Sequence, residues 1–197
     1  MMKTHLGKGL AALTLFAACA AAQADPTTYN ATLTGAAENP PNLSTATGNV
    51  SVLFDIDNHY FSIAASFNGL AGGSTAAHVH CCTALPGDGS AGVATMLPTF
   101  TGFPTGVTSG AYAAIFDTSL ASFWNPTFLS DHGGTTSGAE AALLAGLNGG
   151  SSYFNIHSDA YPGGEIRGFL AAPVPEPAQA LLLLAGLPLL FLRRRTT

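Results

Sequence analysis

A regular alternation of apolar and polar side chains between residues 49 and 68 is the feature that most constrains the fold. The alternation continues on both sides of Asp57-Asn58. Its apolar members are Val50, Val52, Phe54, Ile56, Phe61, Ile63, Ala65 and Phe67. A period of two places these side chains on one face of a strand, whereas an amphipathic helix needs a period near 3.6. The segment therefore predicts a β-hairpin with one buried face and a turn at Asp57-Asn58.

The rest of the interior repeats this pattern in shorter pieces. Glycine occurs 23 times and proline 12 times, while charged residues make up only 9 % of the chain. Clusters of these turn-forming residues separate further strand candidates at residues 29–34, 75–82, 92–97, 110–116, 152–157 and 165–171. Many short strands divided by turns are typical of an all-β, antiparallel sandwich or barrel.

One segment, residues 137–147, predicts a short helix instead. Ser137 is a possible N-cap, and Glu140 follows three residues later, as in a capping box. Leu143, Leu144 and Leu147 form an apolar stripe that we expect to pack on the core.

The N-terminal 24 residues have the pattern of a secretory signal peptide. Lys3 and Lys8 precede an apolar run, and small residues lead to a cleavage site between Ala24 and Asp25. The apolar run is shorter than the roughly 20 residues of a membrane-spanning helix. A lipoprotein signal that uses Cys19 is the rival interpretation. We expect residues 25–172 to form one exported domain.

Residues 173–197 form a second address. Pro175-Glu176-Pro177 precedes a short apolar segment and the cluster Arg193-Arg194-Arg195. This order resembles the PEP-CTERM sorting signal of Gram-negative bacteria. The resemblance implies transient anchoring in the membrane, removal of the tail by an exosortase-type membrane protease, and release to the outer surface or extracellular matrix. An ordinary tail anchor is the alternative.

The distribution of charge excludes one class of partner. Of the six lysines and arginines, only Arg167 lies between Lys8 and Arg193, whereas the chain contains eleven acidic residues. A phosphate backbone would repel such a domain, so we expect no nucleic acid as a partner.

Two segments carry most of the chemistry: His78-Val79-His80, and Asn155-Ile156-His157 followed by Gly164-Glu165-Ile166-Arg167-Gly168. With the early segment at residues 33–38, they resemble the CHRD (chordin-type) domain from about Tyr29 to Leu170. The resemblance implies an immunoglobulin-like β-sandwich or barrel on the extracellular side. It leaves the biochemical role open.

The histidines suggest a metal site. His78 and His80 lie two apart in a predicted strand, so both imidazoles point to one face. If the late strands lie beside this one, His157 becomes a third ligand, with Asp159 or Glu165 as a carboxylate donor. An imidazole-rich set favours copper or zinc. The competing interpretation is three structural histidines that bond to loop backbone.

Cys81 and Cys82 are the only cysteines that remain after removal of the predicted signal peptide. In an oxidising compartment they can form a vicinal disulfide, bridge to another chain or ligate a soft metal. Strand alternation places Cys82 on the face of His78 and His80, so Cys82 is the better ligand candidate. We expect the disulfide.

Glu165 and Arg167 also lie two apart in a predicted strand, which suggests a structural ion pair. No nucleophile elbow, phosphate loop or dinucleotide fingerprint is present in the sequence. Our first hypothesis is an exported surface or biofilm-matrix domain without catalytic activity, whose partners include matrix polysaccharide or surface proteins. The alternative is a copper- or zinc-dependent redox or metal-handling protein.

Overall fold

The computed structural model describes residues 26–173. The predicted signal peptide and its Ala24-Asp25 cleavage site lie outside the described residues. The sorting motif Pro175-Glu176-Pro177 and the cluster Arg193-Arg194-Arg195 lie outside them as well. Among the described residues, no helix is long and apolar enough to span a bilayer.

Seven antiparallel strands form one sheet that curls into a half-barrel, which confirms the all-β prediction. The strands are β1 (Thr27–Thr34), β2 (Thr47–Asp55), β3 (Tyr60–Asn68), β4 (Ser74–His80), β5 (Gly110–Asp117), β6 (Tyr153–Ser158) and β7 (Ile166–Phe169). Their order across the sheet is β4-β6-β7-β1-β2-β3-β5. The late strands β6 and β7 therefore lie between the middle strand β4 and the first strand β1.

The predicted hairpin is β2 and β3, which pair along their whole length. Its apolar face is buried, with Val52 and Phe61 fully inaccessible to solvent. The Asp55 carboxylate accepts hydrogen bonds from the backbone N–H groups of Asp57 and Asn58 and so fixes the turn. The alternation alone determined this element because every second side chain must enter the core.

Two helices follow β5: α1 (Pro126–Asp131) and α2 (Thr136–Asn148). The predicted helix is α2, but its N-cap is Thr135, whose hydroxyl accepts from the N–H of Gly138. Glu140 does not complete a capping box with Ser137, because its carboxylate is buried and accepts a hydrogen bond from Thr118. The sequence reasoning missed α1, although Asn125-Pro126 is a recognisable start signal.

The predicted strand at residues 92–97 is wrong. This segment makes only isolated bridges, one of them between Val93 and His80. The backbone N–H of Val79 in β4 donates to the hydroxyl of Thr95 rather than to a carbonyl, so a side chain interrupts the ladder. The segment nevertheless lies along β4, and the residues that flank it, Ala91 and Pro98, contact the histidines described below.

The two faces of β4, β6 and β7 differ in chemistry. One face enters the core through Val79, Phe154, Ile156 and Ile166, all fully buried. The other face is polar and carries His78, His80, Tyr153, Asn155, His157 and Arg167. Most of this polar face is also shielded from solvent, which makes it the unusual part of the fold.

Candidate metal centre

Two paired strands carry the three histidines that the sequence singles out. His78 and His80 lie on β4, and His157 lies on β6. In the register of this pair, His78 is opposite Asn155, and His157 is opposite Ala76. Side chains that are two apart in a strand, or directly opposite across a pair, point to the same face. The pairing of β4 with β6 therefore brings His157 to the face of His78 and His80.

The three imidazole rings surround one small space. The ring centroids of His78 and His157 are 5.4 Å apart, those of His78 and His80 are 6.0 Å apart, and those of His80 and His157 are 6.3 Å apart. One nitrogen from each ring lies within 4.8 Å of the corresponding nitrogens of the other two. Within residues 26–173, this is the group of potential metal-binding side chains that converges.

Backbone carbonyl oxygens hold the second nitrogen of each ring. The pairs are His78 Nε2 with Pro98 (2.7 Å), His80 Nδ1 with Ala91 (2.9 Å) and His157 Nδ1 with Pro162 (2.9 Å). Because a carbonyl oxygen only accepts hydrogen bonds, each of these nitrogens carries the ring hydrogen. The opposite nitrogen of each neutral ring then has a free lone pair. Metal-binding histidines in proteins are oriented by this kind of contact.

The remaining nitrogens of the three rings have no hydrogen-bond partner within the described part of the chain. They are His78 Nδ1, His80 Nε2 and His157 Nε2, and each is buried. Leaving a buried polar atom unpaired costs about 1–3 kcal/mol. Three such atoms directed at one space are suited to share an electron-pair acceptor, and the donor set suits a borderline metal ion such as zinc or copper.

Burial keeps the three rings neutral. The pKa of His80 is lowered to about 4, chiefly because its ring is desolvated. Desolvation also lowers the pKa of His78 and of His157. Metal ions bind the neutral imidazole and compete with protons for it, so these low pKa values favour metal binding at neutral pH.

Tyr153 holds His80 in place by ring stacking and through the backbone of Ala91. The two rings are stacked, with centroids 4.6 Å apart and planes inclined by only 8°. The Tyr153 hydroxyl oxygen lies 3.2 Å from the backbone N and 3.2 Å from the backbone O of Ala91, the same carbonyl that accepts from His80. The sequence reasoning did not single out Tyr153. Its position two residues before Asn155 and four before His157 puts it on the histidine face, and that spacing was the available signal.

A buried polar network borders the histidines on the side of β7. Asn155 Nδ2 donates to Glu38 Oε1 at 2.7 Å, and the Arg167 guanidinium lies 3.9 Å from Glu38 Oε2 and donates to the Ala37 carbonyl. Burial raises the pKa of Glu38 to about 7, although Arg167 acts in the opposite direction. The predicted ion pair of Glu165 with Arg167 is therefore wrong, because Arg167 faces the loop after β1.

Glu165 and Asp159 occupy other positions than the predicted carboxylate donor. Glu165 is fully buried and accepts from Ser44, from the Ala71 N–H and from Ser158. These contacts use both of its oxygens to join the loops of Ser44 and Ala71 to the end of β6. Asp159 is exposed, and its backbone N–H donates to the Gly73 carbonyl.

Cys81 and Cys82 are joined to each other by a disulfide. Strand β4 ends at His80, so the alternation that would place Cys82 beside the histidines does not extend to it. The two sulfurs instead lie against α2, 3.8 Å and 3.7 Å from the Ala142 carbonyl oxygen. A Cβ at Gly146 would lie 2.5 Å from each sulfur, so only glycine fits there.

A comparison with protein families assigns the family. A family model described as the CHRD domain matches residues 29–170, which include all seven strands except the first two residues of β1. The chain belongs to the CHRD domain family. A comparison with curated proteins and one with solved structures gave no match.

In this CHRD domain the segments that carry the resemblance lie side by side. His78-Val79-His80 is in β4, Asn155-Ile156-His157 is in β6, and Arg167-Gly168 is in β7, the next strand of the sheet. The early segment supplies Glu38, which reaches the same polar face. These segments of the chain therefore lie next to one another in space.

Proposed function

We propose that this CHRD domain binds one copper or zinc ion through His78, His80 and His157. The observation that carries the proposal is the set of three buried nitrogens without partners. Each belongs to a ring whose other nitrogen is held by a backbone carbonyl. Histidines that served only to bond loop backbone would need one nitrogen each, and their second nitrogens would have no reason to converge.

The donor set supports copper or zinc over harder ions. Calcium and magnesium prefer oxygen ligands, whereas neutral imidazole suits zinc and copper. The carboxylates that come closest to the polar face have other partners: Glu38 is bonded to Asn155, and Glu165 to serine hydroxyls and a backbone N–H. Such an ion would tie β4 to β6 and to the loops that end at Pro98 and Pro162.

The metal content of the purified mature domain tests this proposal. We expect elemental analysis to find close to one copper or zinc ion per chain. We also expect His157→Ala to lose much of the metal affinity of the wild type. Calorimetry with Zn²⁺ and with Cu²⁺, under anaerobic and aerobic conditions, measures this affinity. His157 is the most exposed of the three, so its removal should disturb the core least.

His132→Ala is the matched control. His132 is also partly exposed and also bonds a backbone carbonyl through Nδ1, that of Phe128, but it lies outside the cluster. Its replacement should leave metal affinity unchanged. Equal affinity of the wild type and His157→Ala, or a wild-type domain that binds neither ion, would refute the proposal.

We further propose that the domain acts outside the cell, on the surface or in the extracellular matrix. Membership of the CHRD family and the address-like pattern of both termini support this localisation. The expected processing partners are the export machinery and an exosortase-type protease, and the expected binding partners are matrix polysaccharide or surface proteins. The intact mass of the exported protein is the test. It should correspond to a chain that begins at Asp25 and has lost Arg193-Arg194-Arg195.

A further inference from the structure

Asn155 lies on the same sheet face as the three histidines. It is directly opposite His78 across the pairing of β4 with β6. On the same face, the next cross-strand pair in one direction is His80 with Tyr153, and the next pair in the other direction is Ala76 with His157. The Asn155 side chain therefore belongs to the middle of three cross-strand pairs whose histidines share its face.

The amide of Asn155 is held in a fixed orientation. Its Nδ2 donates to Glu38 Oε1, and a Cβ at Gly164 would lie 2.5 Å from Nδ2 and 3.0 Å from Oδ1, so the backbone of Gly164 packs directly against the amide. The residue is 2 % exposed. Its Oδ1 is buried and has no hydrogen-bond partner within the described residues. Because Glu38 holds the nitrogen end, the oxygen end cannot turn to replace it without losing that bond.

We propose that the metal centre binds a small ligand with an O–H group, of which water is the simplest, and that Asn155 Oδ1 accepts the hydrogen bond of this ligand. The inference rests on the proposed metal-binding function. Three nitrogen ligands leave a position open on zinc or copper, and an exogenous ligand ordinarily fills it. A carbonyl oxygen can only accept, so it favours ligands that carry a hydrogen over anions that have only lone pairs.

The surroundings favour a small ligand. His78 and His80 are 5 % and 9 % exposed, and His157 is partly exposed. We therefore expect a ligand of few atoms, because two of the three rings are almost fully shielded from solvent. Asn155 is a positioning residue for the ligand and not a ligand of the metal.

Azide competition on the Co²⁺-loaded protein tests this assignment. Azide is a small anion without a hydrogen to donate, and its binding to Co²⁺ changes the visible spectrum. In Asn155→Leu, the bound water loses its acceptor and azide no longer meets the lone pairs of Oδ1. We expect azide to bind about tenfold more tightly to the variant than to the wild type, as the loss of one hydrogen bond implies. The affinity for Co²⁺ should stay within about threefold.

Two further variants make the comparison decisive. Asn49→Leu replaces an exposed asparagine on β2, away from the cluster, and should behave as the wild type. Asn155→Ala introduces no bulk and supplies the same comparison if Asn155→Leu does not fold. Equal azide affinity in the wild type and the Asn155 variants would overturn the inference while the metal site stands. A loss of Co²⁺ affinity as large as that of His157→Ala would overturn it by making Asn155 a direct ligand. A wild type that binds no Co²⁺ would refute the proposed function and this inference with it.

Discussion

Gly168 is a position where a single added methyl group should be costly. It lies on β7 where this strand meets β1, and a Cβ there would lie 2.3 Å from the Thr32 carbonyl oxygen and 3.0 Å from the Ala31 Cβ. Ordinary contact begins near 3.4 Å. In Gly168→Ala, β1 must therefore move by roughly one ångström, as for other overpacked sites. This strand carries Tyr29 and Leu33, both fully buried.

We expect Gly168→Ala to lower the free energy of unfolding by roughly 1–2 kcal/mol. Overpacking costs about 1–3 kcal/mol, and the stiffer unfolded chain of an alanine variant returns about 0.4–1 kcal/mol. Each kcal/mol corresponds to about 2–4 °C in the melting temperature of a domain of this size. Chemical denaturation with an unchanged m-value would give the difference directly.

Gly163→Ala is the matched control, five positions earlier. A Cβ at Gly163 meets no atom within 4 Å, and the residue does not adopt a positive φ. Its replacement should change stability by no more than about 0.5–1 kcal/mol. If the two alanine variants were equally stable, the close approach of β7 to β1 would not exist in solution, and the register of the sheet at this point would have to be revised.

Three further outcomes follow from the site. Tyr153→Phe keeps the stack on His80 but removes the hydroxyl beside Ala91. Metal affinity should therefore fall by about tenfold in a calorimetric titration, as for other residues that orient a metal ligand. An unchanged affinity would show that the stack alone positions the His80 ring. In the metal-free folded protein, the buried His80 has a pKa of about 4, whereas in the unfolded chain its pKa is the ordinary 6.5. As the pH falls below 6.5, the unfolded chain therefore binds a proton at His80 that the folded protein does not bind. Stability is therefore lost as the pH falls, and denaturation curves should show a loss between pH 8 and pH 5 that is roughly 2 kcal/mol larger in the wild type than in His80→Gln. The oxidised domain should be about 2 Da lighter than its reduced form and show no free thiol, because Cys81 and Cys82 are joined to each other; thiol labelling without prior reduction would contradict this.

His59, which lies outside the cluster, shows how the neighbours of a histidine set the direction of its pKa shift. His59 Nδ1 lies 2.8 Å from the buried Glu140 carboxylate, and this partner raises the pKa of His59. The pKa of His80, by contrast, is lowered, chiefly by desolvation and further by the nearby His78, His157 and Arg167. The same side chain is thus held toward the cationic form in one place and toward the metal-binding form in the other. The decisive difference is the neighbour, not the residue type.

Local patterns in the sequence were sufficient for the strands that alternate strictly. The hairpin of β2 and β3 is predictable because burial of one face obliges every second residue to be apolar. The segment at residues 92–97 has similar composition, yet Thr95 uses its hydroxyl to bond Val79 and no ladder forms. The start of α2 was misplaced by two residues because Thr135, Thr136 and Ser137 are all acceptable caps, and only packing selects among them.

The sequence by itself determined that His78 and His80 share a face, because adjacent same-face positions in a strand are set by the two-residue period alone. Only the tertiary structure decided which strand lies beside them. That choice brought His157 into the cluster, put Asn155 opposite His78, and gave Arg167 the distant Glu38 as its partner instead of Glu165. The physical reason is that the strand period determines only the face to which a side chain points. The neighbours of that side chain depend on the order of strands in the sheet. This order is set by residues far apart in the sequence that pack into one shared core.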